Sequence, residues 1–206
     1  MSWLHSTNTA RASALALTIG AGLALTSFML ASAARALDHN RAEDTAAEAK
    51  EKDMAACSAF KWPIDKERAA FESGNLQKLS SGTSTGVWGE QVFALQLKPA
   101  ESNTFPIPPP TGKNTPDTFG GTLSFAAPVG AGPYQITISN HSWIELVQDG
   151  AALKAVDHSG AKGCDGVRKS IRFNVGAAPV ILQVSGSSDE TVNVSIRPMD
   201  AKSDAN

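Results

Sequence analysis

Between Val87 and Pro198 the apolar residues recur at every second position, in short runs cut by glycine, proline and Asp-Gly turns. A period of two puts alternate side chains on opposite faces of a strand, so this region is committed to half-buried strands and not to a helical bundle. The runs are Phe93, Leu95 and Leu97; Phe119, Leu123 and Phe125; Tyr134, Ile136 and Ile138; "SWIELVQDGAAL", with Asp149-Gly150 as a hairpin turn; Val167, Ile171, Phe173 and Val175; Val180, Leu182 and Val184; and Val192, Val194 and Ile196. Short strands separated by turns in this number predict an all-β fold. The expectation is an antiparallel jelly-roll-like β-sandwich over residues 76–198, with the residues just named as its core.

Three segments do not fit that alternation. "PAESNTFPIPPPTGKNTPD" is too rich in proline for a central strand. It is predicted to run extended across the outside of the sandwich, with Phe105 and Ile107 tucked under its edge. "SSGTSTG" at 80–86 reads as a flexible polar loop. "CSAFKWPIDKERAAFES" carries Phe60, Trp62, Ile64, Ala69 and Phe71, and Pro63 precedes a short helix with Asp65 and Glu67 near its positive end. Two turns of helix do not stand alone, so this short N-terminal helical segment, 57–75, must be attached to the sandwich. Residues 37–56 form a polar, alanine-rich tether, partly helical, and 199–206 a disordered tail.

Arg11 is the only full charge before an uncharged run from Ala12 to Ala34, which ends in "ASA" and "ARA". Residues 1–36 therefore read as a signal peptide or, if uncleaved, as an anchor; either way the rest is exported, to the periplasm. Net charge is −2 over 206 residues; without residues 1–36, which hold two arginines and no acids, it is −4. That balance excludes a nucleic-acid partner. In an oxidising compartment the two cysteines, Cys57 and Cys164, pair by default, which sets aside the readings of Cys164 as a nucleophile or a metal ligand.

"AGPYQITIS", "IELVQDG" and "VILQVSG" resemble the strand rhythm of the bacterial pre-peptidase C-terminal domain and related jelly-roll modules, over residues 119–197. A wider pattern, "KWP…ERAAF", "FPIPP", "YQITISNHSWIELVQDG" and "GCDGVRKSIRF…LQVSG", resembles small exported proteins of alphaproteobacteria. Some of those carry the label homogentisate dioxygenase. Such chemistry needs two histidines and a carboxylate at an open iron site; here His141 and His158 stand on separate segments without that spacing.

"GTSTG", Gly82 to Gly86, matches a nucleophile elbow around Ser84 in letters only, because no buried strand precedes it and no helix follows. His141 and His158, with Asp149 or Asp157, make at most a loose metal site, and no metal or other cofactor is expected. Trp143 offers a face on which a sugar ring could stack. Arg168, Arg172 and Arg197 lie on outward positions that an anionic partner could meet. The ligand-binding candidates are thus Trp143, His141, Arg168 and Arg172, with no catalytic residue. The expected function is an exported, non-enzymatic binding or accessory module whose partner is a periplasmic protein or glycan, in contact with the membrane only if the leader is retained. The alternatives are a carbohydrate-binding module and a small hydrolase or metal-dependent enzyme.

Overall fold

The computed structural model describes the backbone of residues 27–199, and side chains from residue 41. The leader and the tail expected from the sequence lie outside the described residues, apart from the backbone of 27–36 and Met199. The chain divides into two units, 1–47 and Glu48–Asn206. Of the first, the described part belongs to helix α1, Ser27–Cys57, whose side chains from 41 to 47 are exposed. The tether is therefore helical, in keeping with its alanine-rich, good helix-forming composition. Among the described residues no helix is long and apolar enough to cross a membrane.

The second unit is all-β behind a short helix α2, Asp65–Glu72. Its strands are β1 (Gln77–Ser80), β2 (Thr83–Val87), β3 (Gln91–Gln96), β4 (Lys98–Pro99), β5 (Phe119–Ala126), β6 (Gly132–Ile138), β7 (Trp143–Gln148), β8 (Ala151–Ala152), β9 (Ala155–Gly160), β10 (Lys169–Val175), β11 (Val180–Ser187) and β12 (Thr191–Pro198). One six-stranded sheet, A, has the order β1-β3-β12-β6-β10-β9; the other, B, runs β2-β5-β11-β7-β8, with β4 on β5. Asp149 and Gly150, both at positive φ (51° and 77°), make the tight β7–β8 turn that their sequence specified.

The inward residues of both sheets form one core, from Phe93 and Leu95 through Ile136 and Leu182 to Ile196. Its largest member was not foreseen. Trp88 is fully buried in the bend between β2 and β3, with its ring 5.0 Å from that of Phe125 and 5.8 Å from that of Tyr134, both edge-on. It lies outside any alternating run, so period alone did not mark it. Val167, expected in this core, packs instead with Phe60, Trp62, Ile64, Phe71 and Cys164 in a second cluster, because β10 begins only at Lys169.

Two expectations need correction. Residues 80–86 are not a free loop. The chain leaves β1 on sheet A, turns at Ser81 and Gly82, and enters β2 on sheet B. Ser81 is buried against Gly121, where an added Cβ would lie 2.5 Å from the serine hydroxyl, so the corner is tightly packed. Nor is the pairing wholly antiparallel: β1 lies parallel to β3 and β2 parallel to β5, one parallel strand on the edge of each sheet. Short polar strands that complete an edge carry little hydrophobic alternation, which hid them.

The proline-rich segment lies on the outer face of sheet B, as a strap. The Ile107 N–H donates to Gln183 Oε1 (3.4 Å), and Gln183 Nε2 donates to the Ile107 carbonyl (2.8 Å) and to Glu145 (2.8 Å). Phe105 fills the space above Gly120, where a Cβ would come within 2.8 Å of its ring. It covers the face of the sheet rather than its edge, because the outward Gln183 satisfies the strap's backbone groups, which prolines leave without a ladder.

Candidate functional site

Sheet A presents to its outer side two polar rows that cross four strands. In one, Ser159, Ser170, Thr137 and Ser195 are successive cross-strand partners; in the next, Asp157, Arg172, Gln135 and Arg197 are. Alternation forces this: Ile171, Phe173, Ile136, Ile138, Val194 and Ile196 face the core, so their neighbours must face away. A polar outer face is ordinarily solvated. Here Gln135, Thr137, Ser159, Ser170 and Ser195 are all buried.

The cover is the segment from Phe60 to α2. The Lys61 N–H donates to Ser159 Oγ (2.9 Å) and the Trp62 indole N–H to Ser170 Oγ (2.9 Å), which also bonds Thr137 (2.8 Å). Small hydroxyl side chains make a flat floor for the indole while satisfying its polar edge. Lys61 Nζ meets Asp157 at 2.6 Å, and the Arg172 guanidinium stacks over Trp62 with Cζ 4.0 Å from the ring centroid. The hydrogen bond from the Lys61 ammonium holds Asp157 below the usual carboxylate range, and the His158 N–H and the ammonium's charge add to this.

Glu67 has the least ordinary position. It projects from α2 onto the second polar row and is only 2 % exposed. Gln135 Nε2 donates to its Oε1 (2.9 Å), and Arg197 Nε lies 2.9 Å from the same oxygen as an ion pair without hydrogen-bond alignment. The other oxygen, Oε2, is buried without a hydrogen-bond partner among the described residues. The sequence placed Glu67 on the helix for its dipole and placed Ala69 in the packing; the structure buries Glu67 and leaves Ala69 exposed. The signal available was the i, i+4 spacing of Glu67 and Phe71, which puts them on one face of a helix that must dock.

Beside Glu67 opens a cleft of about 510 Å³, lined by Trp62, Pro63, Asp65, Lys66, Glu67, Glu90, Gln135, Arg172, Arg197, Pro198 and Met199. Three acids and three bases face it, so its charges balance while their positions differ: the arginines rise from the floor and the acids come from the cover and the β2–β3 bend.

The disulfide clamps the cover. Cys57 and Cys164 are bonded, with Cα atoms 4.7 Å apart, across a separation of 107 residues. Around it, Asp53 accepts the Asp165 N–H (2.6 Å) and pairs with Arg68, whose Nη1 lies 3.3 Å from Cys57 Sγ. The Asp165 N–H lowers the Asp53 carboxyl below its ordinary range, burial opposes that, and Arg68 adds to the lowering. Asp53, Cys57 and Cys164 form a group of potential metal ligands, but both sulfurs are spent in the disulfide.

The sequence candidates scatter. Arg172, with Arg197, lines the cleft. Arg168 precedes β10 and donates to the Ala161 carbonyl (3.0 Å). His141 and Trp143 sit together at the start of β7, at the sandwich end, and His158 lies exposed on the edge strand β9. Neither histidine belongs to the group of potential ligands around the disulfide. Ser84 lies in β2 between the exposed Thr83 and the partly covered Thr85, with no helix after it. Comparison with protein-family models, curated proteins and solved structures returns no match.

Proposed function

We propose that the chain is an exported, non-enzymatic binding module of the periplasm, and that its ligand occupies the cleft between the disulfide-clamped cover and the outer face of sheet A. The carrying observation is the Glu67 carboxylate, buried to 2 % with one oxygen unpartnered, at the wall of a cleft floored by Arg172 and Arg197. A buried acceptor without a partner costs about 1–3 kcal/mol, and a ligand that donates to it recovers that cost. About 510 Å³ falls within the range of roughly 300–1,000 Å³ that small-molecule sites occupy. The mixed charge suits a small polar molecule with a donor for Glu67 and an acceptor for the arginines.

Export is supported by the leader-like uncharged run from Ala12 to Ala34 and by the presence of a disulfide, a bond that oxidising compartments maintain. The jelly-roll reading and the likeness to pre-peptidase C-terminal modules belong with this proposal; the strands that carry the likeness are β6, β7 with its Asp149-Gly150 turn, and β11.

A thermal-shift screen of amino acids, short peptides and small saccharides, followed by calorimetry, tests the site. A true ligand raises the melting temperature of the native chain and loses at least tenfold in affinity in both Glu67→Gln and Arg172→Ala. Ligands that bind regardless of both substitutions overturn the cleft as the site, and chemical turnover of a bound ligand overturns the non-enzymatic reading.

A further inference from the structure

On the opposite sheet, a second cluster pairs an exposed aromatic face with uncompensated positive charge. Trp143 begins β7, points to the outer side of sheet B and remains 38 % exposed, the highest of any aromatic side chain in the core-forming unit. Lys169 reaches it from the start of β10 in the other sheet: its Nζ lies 5.7 Å from the indole centroid and donates to the Ser142 carbonyl (2.9 Å). Directly across from Trp143 stands Ser185, whose buried hydroxyl has no hydrogen-bond partner among the described residues. The next residue, Gly186, sits at positive φ (65°) in a strand irregularity, and the backbone and stem of Lys113 lie on it, where a Cβ would come within 3.2 Å. The strap thus lays Lys113 on Gly186, one residue along from the cross-strand partner of Trp143, at a position whose positive φ favours glycine.

Among the described residues no carboxylate lies within ion-pair distance of Lys113, Arg168 or Lys169. The acids placed nearby in the chain have neutral partners: Asp189 accepts from Asn140, which also donates to Ser187, and Glu145, two residues along β7, accepts from Gln183. Burial holds the Lys169 ammonium below the usual lysine range, and repulsion from Lys113 and Arg168 adds to this. Concentrated positive charge on a chain of net charge −2 calls for an external anion.

We propose that Trp143, Lys169 and Lys113 form a binding site for an anionic polysaccharide, in which the indole stacks on a sugar ring and the two ammonium groups receive acidic substituents of the chain. This site is independent of the cleft on sheet A. An exposed aromatic face suits a polymer, which gains affinity from repeated contacts, better than a small anion. Lysines act as point charges and accept carboxylate and sulfate alike, so the shared chemistry is the acidic sugar. The indole is what separates this from a purely electrostatic surface.

Affinity electrophoresis of the native chain at physiological salt decides it, in gels holding polygalacturonate, dextran sulfate, neutral dextran or polyglutamate. The expected result is retardation by the two acidic polysaccharides and by neither of the others. Trp143→Ala and Lys113→Ala each weaken retardation at least tenfold, and Lys78→Ala, an exposed charge-matched control on β1, has no effect. If Trp143→Ala fails to fold, Trp143→Phe and Lys113→Met replace it, with binding retained in the first and lost in the second. Retardation by polyglutamate that survives loss of the indole means a general electrostatic surface and overturns the proposal. So does an absence of retardation in both acidic gels, or retardation by neutral dextran alone.

Discussion

The Arg172 guanidinium lies over the Trp62 indole, its Cζ 4.0 Å from the ring centroid, while the same indole gives its N–H to Ser170. Arg172 and Ser170 are two residues apart on β10, so they share the outer face of sheet A. One side chain of the cover is thereby held by two consecutive outward positions of one strand, at its polar edge and on its apolar face. This makes Trp62 the anchor of the cover and a wall of the cleft at once, and it ties the position of Arg172 to the cover being closed.

Trp62→Ala should therefore cost about 3–5 kcal/mol, the usual range for truncating a buried tryptophan. Trp62→Phe should cost less, because it keeps the stacking surface and loses the bond to Ser170. Equilibrium urea unfolding measures both. Equal losses in the two variants would show that the indole N–H, rather than ring packing, anchors the cover.

Cleaving the disulfide should leave the sandwich core intact and loosen the cover. The chain-entropy model gives about 4–5 kcal/mol for a loop of this length, and removal of a native disulfide commonly costs about 2–5 kcal/mol. Cys57→Ala with Cys164→Ala should lose stability in that range and become cleavable by protease between Ser58 and Ile64 before any strand is cut. Protection of that segment equal to the native chain would show that the polar floor holds the cover unaided.

The strands of the core were legible because β6, β10, β11 and β12 each bury one face against the opposite sheet, and Ile136, Ile171, Leu182 and Val194 write that in a period of two. The disulfide followed from a count of two cysteines and the expectation of export. The cleft was not legible. Thr137, Ser170, Arg172 and Arg197 look like any solvated outer face, and nothing local says that Trp62 and Glu67 come down on them. That juxtaposition depends on register between strands far apart in sequence and on a cover docked by non-local bonds. Lys113 and Lys169 were missed for the same reason: one lies on the strap and one on sheet A, and only the folded chain brings them close enough to repel each other.

Gly120→Ala tests the strap. The added Cβ would lie 2.8 Å from the Phe105 ring and 2.9 Å from the Val184 carbonyl, and the second neighbour is backbone that cannot move cheaply. Overpacking of this kind costs about 1–3 kcal/mol. Hydrogen exchange should quicken at the Ile107 amide, which Gln183 holds across the strap. Unchanged exchange there would mean that Phe105 yields without releasing the strap.

Acid should weaken the attachment of the cover. The folded-state pKa of Asp53 lies below its ordinary value of 3.8, chiefly through the Asp165 N–H, with Arg68 contributing. A depressed carboxylate contributes stability that is complete above the unfolded value and is lost as pH falls through the folded one. Asp157, lowered by its bond from Lys61, behaves alike. The native chain should exceed Asp53→Asn in unfolding free energy at neutral pH, with the gap closing as pH drops below 3.8. A gap that persists unchanged into strong acid would assign the effect of the substitution to packing instead of charge.

The sharpest test of the polar floor is Glu67. Its carboxylate is enclosed, takes a hydrogen bond from Gln135 and faces Arg197, whose side chain is 25 % exposed. Removing one member of a fully buried pair costs about 3–5 kcal/mol because the other is stranded. Arg197 keeps access to water, so Glu67→Ala should cost less, about 2–3 kcal/mol on the same argument. Glu67→Gln keeps the shape and an acceptor for Gln135 but gives the arginine no counter-charge, and its stability should fall between those of the native chain and Glu67→Ala. The double variant Glu67→Leu with Arg197→Met removes both charges and should recover most of the loss, since replacing a buried ion pair by apolar groups of similar size is often neutral. Unfolding free energies of the native chain, Glu67→Leu, Arg197→Met and the double variant form a cycle that isolates the coupling. Strictly additive losses would show that the two groups do not interact, and the floor would then be held by Gln135 and the hydroxyl row alone.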